Sequence, residues 1–223
     1  MKKKLILTFA LLLAFVVSHA QTEKGTQTIG INLQYLHSDQ GGSVISPVDN
    51  SVTSAGFKYT NFNIGPLYSY FIANNLDLGA SISYQNNQDS YPANSNSAMS
   101  KSTSKSIGGA IYLRKYFMYK DVIGLRVGPM LRYSHGTGTE TYFPAYVAYN
   151  QNSKSDFTNI GLQAELVYYP TKHIGLSAML ANAGFSHQST SNGNQGRQSY
   201  NDSYLNLINN GLSLSAFYSF GGK

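Results

Sequence analysis

Tyr168-Tyr169-Pro170-Thr171-Lys172-His173-Ile174-Gly175-Leu176 decides how the whole chain is read. An aromatic pair runs into a tight polar turn, and the turn releases an aliphatic residue that begins a period-2 alternation. Two other stretches repeat the pattern. They are Tyr70-Phe71-Ile72-Ala73-Asn74-Asn75-Leu76-Asp77-Leu78 and, one residue longer, Tyr116-Phe117-Met118-Tyr119-Lys120-Asp121-Val122-Ile123-Gly124-Leu125. Polar turns between alternating runs signal β-hairpins. Aromatic residues at the same end of each hairpin suggest a belt at a membrane–water interface.

Working outward from these turns, the alternation predicts eight strands. They lie at about 26–37, 61–72, 76–85, 106–117, 123–133, 157–169, 174–181 and 211–220. Three short turns alternate with four long polar stretches, about 38–60, 86–105, 135–156 and 187–206. The expected fold is an all-β, eight-stranded antiparallel up-and-down transmembrane β-barrel, with short periplasmic turns at one rim and long extracellular loops at the other. All but 174–181, which has eight, reach the ~9–11 residues that a tilted membrane strand needs. Ile64-Gly65-Pro66 and Val127-Gly128-Pro129 each put a Pro inside a strand, where it cannot donate to the ladder, and so predict bulges.

Residues 1–20 read as a cleavable leader. Lys2-Lys3-Lys4 forms the basic region, Leu5 to Val17 the apolar run, and Ser18-His19-Ala20 the cleavage end. The barrel domain is then 21–223. The apolar run is too short to cross a bilayer as a helix. The formal charge of +6 loses three lysines with the leader, leaving 13 basic residues against 10 acidic, or +3. No basic stripe or nucleic-acid motif is present. Cysteine is absent, and charged residues are only 12% of the chain against ~25% for a soluble domain.

The polar face separates a membrane barrel from a soluble one. On a soluble barrel that face meets water and carries Lys and Glu. Here it is mostly Gly, Ser, Ala, Asn and Gln, which suit a crowded narrow lumen. The leader, the three hairpins and the closing Leu212-Ser213-Leu214-Ser215-Ala216-Phe217-Tyr218-Ser219-Phe220 together resemble the small outer-membrane β-barrel family, whose eight-stranded members include the OmpA and OmpX barrels. The resemblance spans essentially the whole mature chain. It implies a Gram-negative outer membrane, a monomer, lipid as a neighbour and recognition of the closing strand by the assembly machinery. Gly221-Gly222-Lys223 departs from the family's terminal aromatic. A peptidoglycan tether is not implied.

Few charges fall on the lumen face. Asp77, Arg114, Arg126 and Glu165 are expected to form a compensated cluster that plugs the lower barrel. Arg132 lies nearer the loops, with Glu140 as a candidate partner. The aromatic girdle is expected from Tyr70, Phe71, Tyr116, Phe117, Tyr168, Tyr169, Tyr218 and Phe220. His37, His135, His173 and His187 lack metal-ligand spacing, so no metal or cofactor is expected. Ser134-His135 with Glu140, and His187-Gln188-Ser189, supply hydrolase residue types. Neither cluster sets nucleophile, base and acid in order, so the chain is read as non-enzymatic. The long loops carry Tyr91, Tyr142, Phe143, Tyr146, Tyr149, Tyr200 and Tyr204 among Ser, Asn and Gly, a composition suited to binding. The leading reading is a structural or adhesive barrel that meets an extracellular ligand through its loops. A narrow diffusion channel and a lipid-modifying enzyme are the alternatives.

Overall fold

The computed structural model describes residues 22–40, 43–45, 52–54, 56–91, 99–143, 149–192, 196–207 and 212–222. The leader expected at 1–20 lies outside them. The described strands are β1 (Thr26–Gln40), β2 (Ser43–Ile45), β3 (Val52–Ser54), β4 (Phe57–Ala73), β5 (Leu76–Tyr91), β6 (Met99–Tyr119), β7 (Ile123–Phe143), β8 (Tyr149–Tyr168), β9 (Ile174–Asn192), β10 (Gly196–Leu207) and β11 (Leu212–Gly221). All pairings are antiparallel. The ring β1–β4–β5–β6–β7–β8–β9–β11 closes where Thr26 meets Gly221 and Tyr35 meets Leu212. Closure leaves this ring without a free edge.

Alternation sends the apolar set outward. Ile29, Ile31, Leu78, Ile82, Ile107, Ile111, Leu131, Ile160 and Leu162 are all exposed, Ile107 at 62%. The interior is polar and aromatic. The hairpins that turn the chain over are tight: Asn75 has a φ of 60°, and Lys120 and Asp121 have 49° and 54°. Two left-handed residues in succession match the twist of the strands that they join. Bonds between neighbouring turns lace this rim together. Asn75 N–H donates to Thr22 O at 2.7 Å, Tyr116 N–H to Asn75 O at 2.8 Å, and Tyr169 N–H to Val122 O at 2.7 Å.

Three expectations change. The long polar stretches are largely strand. β6 and β7 each run 21 residues, and β8 runs 20, so these strands continue well past the apolar band as a wall. Composition alone marks Ser, Asn and Thr runs as loop. Backbone pairing overrides it, because most of the wall's N–H and C=O groups gain a partner while both faces tolerate polar side chains; β10 and the top of β1 pair on one side among the described residues. The stretch 187–206 is likewise a hairpin. β10 pairs with the upper half of β9 from Gly196–Asn192 to Leu207–Ala181, and β11 takes over lower down. Between β1 and β4, β2 and β3 form a small separate hairpin.

The third change concerns the prolines, which do not create bulges. Ile64–Tyr84 and Leu67–Ser81 keep one register across Gly65-Pro66, as do Tyr112–Met130 and Lys115–Val127 across Gly128-Pro129. The register slips elsewhere, between Phe71 and Ala73 and between Ala164 and Glu165. A missing donor costs a ladder bond but inserts no residue. The preceding glycine lets the neighbouring strand close in: a Cβ on Gly65 would sit 1.8 Å from the Ile82 carbonyl oxygen, and one on Gly128 1.8 Å from that of Leu113.

Candidate functional site: the barrel lumen

Eight strands enclose a bore that side chains can fill. The floor is built from the inward members of the aromatic pairs. Adjacent residues on a strand face opposite ways, so each pair is split. Phe71, Tyr116 and Tyr169 are buried inside, and the girdle expected to include them is corrected to their outward neighbours. Tyr70, Phe117, Tyr218 and Phe220 are exposed on the outer surface, with Tyr168 half-buried and Tyr119 added at 65%. A second aromatic row that the sequence reading missed stands at the far edge of the apolar band, formed by Tyr35, Tyr84 and Tyr133. Its signal was available, since each of these residues ends its strand's apolar alternation. Inside, Tyr169 meets Phe217 edge-on at 5.5 Å, and Phe71 meets Tyr116 at 5.1 Å.

Above this floor the structure joins Asp77, Arg114, Arg126 and Glu165 into one network. Register places Asp77 opposite Arg114 on β5 and β6, and Arg126 opposite Glu165 on β7 and β8. Arg114 donates from Nε to Asp77 Oδ1 at 3.0 Å and from Nη2 to Oδ2 at 2.6 Å. This is the two-pronged contact that a planar guanidinium makes with a carboxylate. Arg126 donates from Nε to Glu165 Oε2 at 2.7 Å, and its Nη2 also bonds that oxygen. Ser177 Oγ donates to Glu165 Oε2 at 2.9 Å and accepts from Arg126 Nη2 at 2.8 Å. Tyr116 links the two pairs. Its hydroxyl donates to Asp77 Oδ2 at 3.0 Å and accepts from Arg126 Nη1 at 3.2 Å. Aromatic rings flank the cations, with the Arg114 guanidinium 3.9 Å from the Tyr112 ring centre and that of Arg126 5.2 Å from Phe217. All four charged side chains are buried. Two acids and two cations cancel, and the tyrosine and serine fill the remaining bonding positions, as burial of charge demands.

Arg132 stands apart. It is half-buried on β7 above the network, and among the described residues no carboxylate pairs with it. Glu140 lies eight residues further along the same strand, roughly 26 Å away at the rise of a β-strand, which rules it out as the expected partner. Arg132 faces a cavity of about 140 Å³ between the network and the wall. Over it, Tyr204 on β10 donates to Asn159 Oδ1 on β8 at 3.0 Å. To reach it, the tyrosine crosses β9 at Gly184, its cross-strand partner, which itself opposes Gly161. Tyr204 is therefore an interior residue rather than a surface anchor. Tyr200 is exposed on the wall. Tyr146 and the side chains of Tyr91, Tyr142, Phe143 and Tyr149 lie outside the described residues.

The hydrolase residue types also meet, though in a pairing that the sequence reading kept apart. His135, Asp156 and Ser189 fall opposite one another on β7, β8 and β9. Asp156 is the middle residue, with its Oδ1 2.9 Å from both His135 Nδ1 and the Tyr133 hydroxyl. Arg197 Nη2 reaches Asp156 Oδ2 at 3.3 Å, and its Nε bonds Ser189 Oγ. A nucleophilic serine needs the imidazole beside it as base. Here the order is reversed, and Ser189 is buried against an arginine. Glu140 and Ser134 do not join the group. The other histidines bond locally: His37 to Thr60 Oγ1 at 3.0 Å, His173 to Ser219 O at 2.9 Å, and His187 to Asn201 Oδ1 at 2.8 Å. No group of three metal-binding side chains occurs among the described residues.

No protein-family model matches the sequence, and no curated protein does. Solved structures do. The outer membrane protein OprG from Pseudomonas aeruginosa is 12% identical at a TM-score of 0.49, over 92% of this chain and 99% of that one. A major outer membrane protein from Thermus thermophilus is 11% identical at 0.46, over 87% and 99%. Ail, the attachment invasion locus protein of Yersinia pestis, is 15% identical at 0.39, over 88% and 99%.

Proposed function

We propose that this chain is an outer-membrane β-barrel of a Gram-negative bacterium, exported by a leader at 1–20. It is closed by its lumen network and acts without catalysis, through the strands and loops that stand above the membrane. The observation that carries this reading is the continuous apolar outer surface. On β7 it runs from Ile123 to Tyr133, about 33 Å of strand, which at a tilt near 40° spans about 25 Å of membrane. Exposed Ile, Leu and Tyr at this density exceed what a soluble monomer presents to water. Aromatic rows border the band at both edges, as expected where hydrocarbon meets headgroups.

Above the band the outer wall turns polar and basic. Lys105, Thr137 and Lys154 lie in register across β6, β7 and β8, and Lys154, Ser191 and Arg197 across β8, β9 and β10. Basic side chains at this height suit anionic headgroups or an acidic surface partner. The structural or adhesive reading rests on this wall. The channel reading has less support, because a charge-paired floor blocks the bore. The lipid-modifying reading is weaker still, because His135 and Ser189 do not touch.

The test is outer-membrane fractionation combined with gel mobility. Unboiled protein from the outer-membrane fraction should migrate faster than boiled protein. Mature protein that stays monomeric without detergent would overturn the reading. Planar-bilayer recording should show little steady current. Lipid A from expressing cells should keep its mass, with Ser134→Ala and Ser189→Ala variants as controls.

A further inference from the structure

At the level of Arg132 the lumen charges do not balance. Asp77 and Glu165 are both committed to Arg114 and Arg126, and Asp89 and Glu140, on the inward alternation of β5 and β7, lie eight residues above that level, roughly 26 Å of strand, which leaves Arg132 without an acid beside it among the described residues. We infer that the cavity facing Arg132 is a binding site for a small carboxylate anion.

Three observations support it. The guanidinium has no hydrogen bond or ion pair to any described residue. The cavity walls supply amides and hydroxyls, including Asn63, Gln163, Asn182, Ser81 and Ser215. Such groups solvate an anion without competing for the arginine. The volume of about 140 Å³ holds several waters and leaves room for a small carboxylate.

Charge and shape decide the class. A cation in a lumen of low dielectric, without its counter-charge, is costly, and an anion beside it removes that cost. The planar fork of arginine matches a carboxylate in two parallel bonds, which a halide cannot use. The neutral network beneath forms the chamber's floor, with Arg114 and Glu165 lining it, so the site ends there. The carboxylate binds from the wall side and does not pass. This inference needs only the closed lumen and stands apart from where the barrel resides.

The experiment titrates sodium acetate into refolded, isotope-labelled barrel in detergent micelles, with sodium chloride at equal ionic strength as reference. The side-chain amide resonances of Asn182 and Gln163 are followed. Acetate should give a saturating shift and chloride only a shallow drift. Arg132→Gln should weaken acetate binding at least tenfold. Arg132→Lys, which keeps the charge and loses the fork, should fall between. Unboiled gel mobility establishes that each variant is folded, and if Arg132→Gln does not fold, Arg132→Lys and the acetate–chloride contrast decide. Equal acetate affinity in wild type and the folded variant overturns the assignment, and so does an unsaturated drift for acetate in wild type.

Discussion

The lower and upper halves of the lumen solve the same problem in opposite ways. Below, each interior charge faces its opposite on the neighbouring strand, and Tyr116 and Ser177 occupy the lone pairs and protons left over. Above, Arg132 has amides and hydroxyls around it, and Glu165, which also lines the chamber, is committed to Arg126. The lower half is a finished salt-bridge plug with aromatic walls. The upper half is a chamber whose polar groups await something that the chain does not provide. The difference teaches that a narrow barrel can spend its few interior charges on closure and on binding in adjacent layers. Which role a charge takes depends on whether register brings it an opposite.

The contrast can be broken most directly in the lower layer. Glu165→Ala strands Arg126 in a dry interior and should lower stability by about 3–5 kcal/mol. The check is the temperature at which the fast-migrating band is lost on gels. A midpoint equal to wild type would mean that the network does not hold the barrel shut. Replacing both partners, Arg126→Met with Glu165→Leu, should cost less than Glu165→Ala alone, because no charge is left unpaired.

Tyr116→Phe removes the hydroxyl that joins the two ion pairs while keeping its ring against Phe71. Bonds to charged groups are worth about 1.5–3 kcal/mol, so a loss in that range is expected by thermal melting in detergent. Tyr204→Phe touches only the neutral bond to Asn159 over the chamber and should cost about 0.5–1.5 kcal/mol. If Tyr204→Phe proved the more damaging of the two, the division into a rigid floor and a permissive chamber would be wrong.

The smallest effect lies on the outer wall. Hydrogen bonding from His135, and then from Tyr133, holds the Asp156 carboxyl below its ordinary 3.8. A depressed carboxyl supports the fold above its unfolded value, and that support fades as pH falls through the folded one. The group sits partly exposed on the outer wall, where solvent screens it, so the expected result is a local titration below pH 3.8, read from the carboxyl carbon resonance, with almost no change in melting. A large acid-induced loss of stability traced to Asp156 would make the wall part of the barrel's structural core.

Much of this was legible along the chain. Period-2 alternation placed Arg114, Arg126, Glu165 and Asp77 on the inner face and the aliphatic residues outside. Alternation could not say which acid meets which arginine, since register depends on turns and slips such as that at Ala164–Glu165. The aromatic pairs misled because they were read as units, whereas the pleat sends Phe71, Tyr116 and Tyr169 inward. The wall was hidden by composition. Ser, Asn and Thr signal loop when only local preference is weighed, and a paired neighbouring strand reverses that preference.

By itself, then, the amino-acid order determined that the chain alternates, where it turns, and that its greasy side needs an apolar surround. These are properties of single strands and of side chains one or two positions apart. Tertiary structure alone decided that Tyr116 completes an ion-pair network, that Pro66 and Pro129 sit in unbroken register, and that no carboxylate among the described residues pairs with Arg132. Each of those depends on strands distant in sequence standing side by side, and ring closure sets that arrangement.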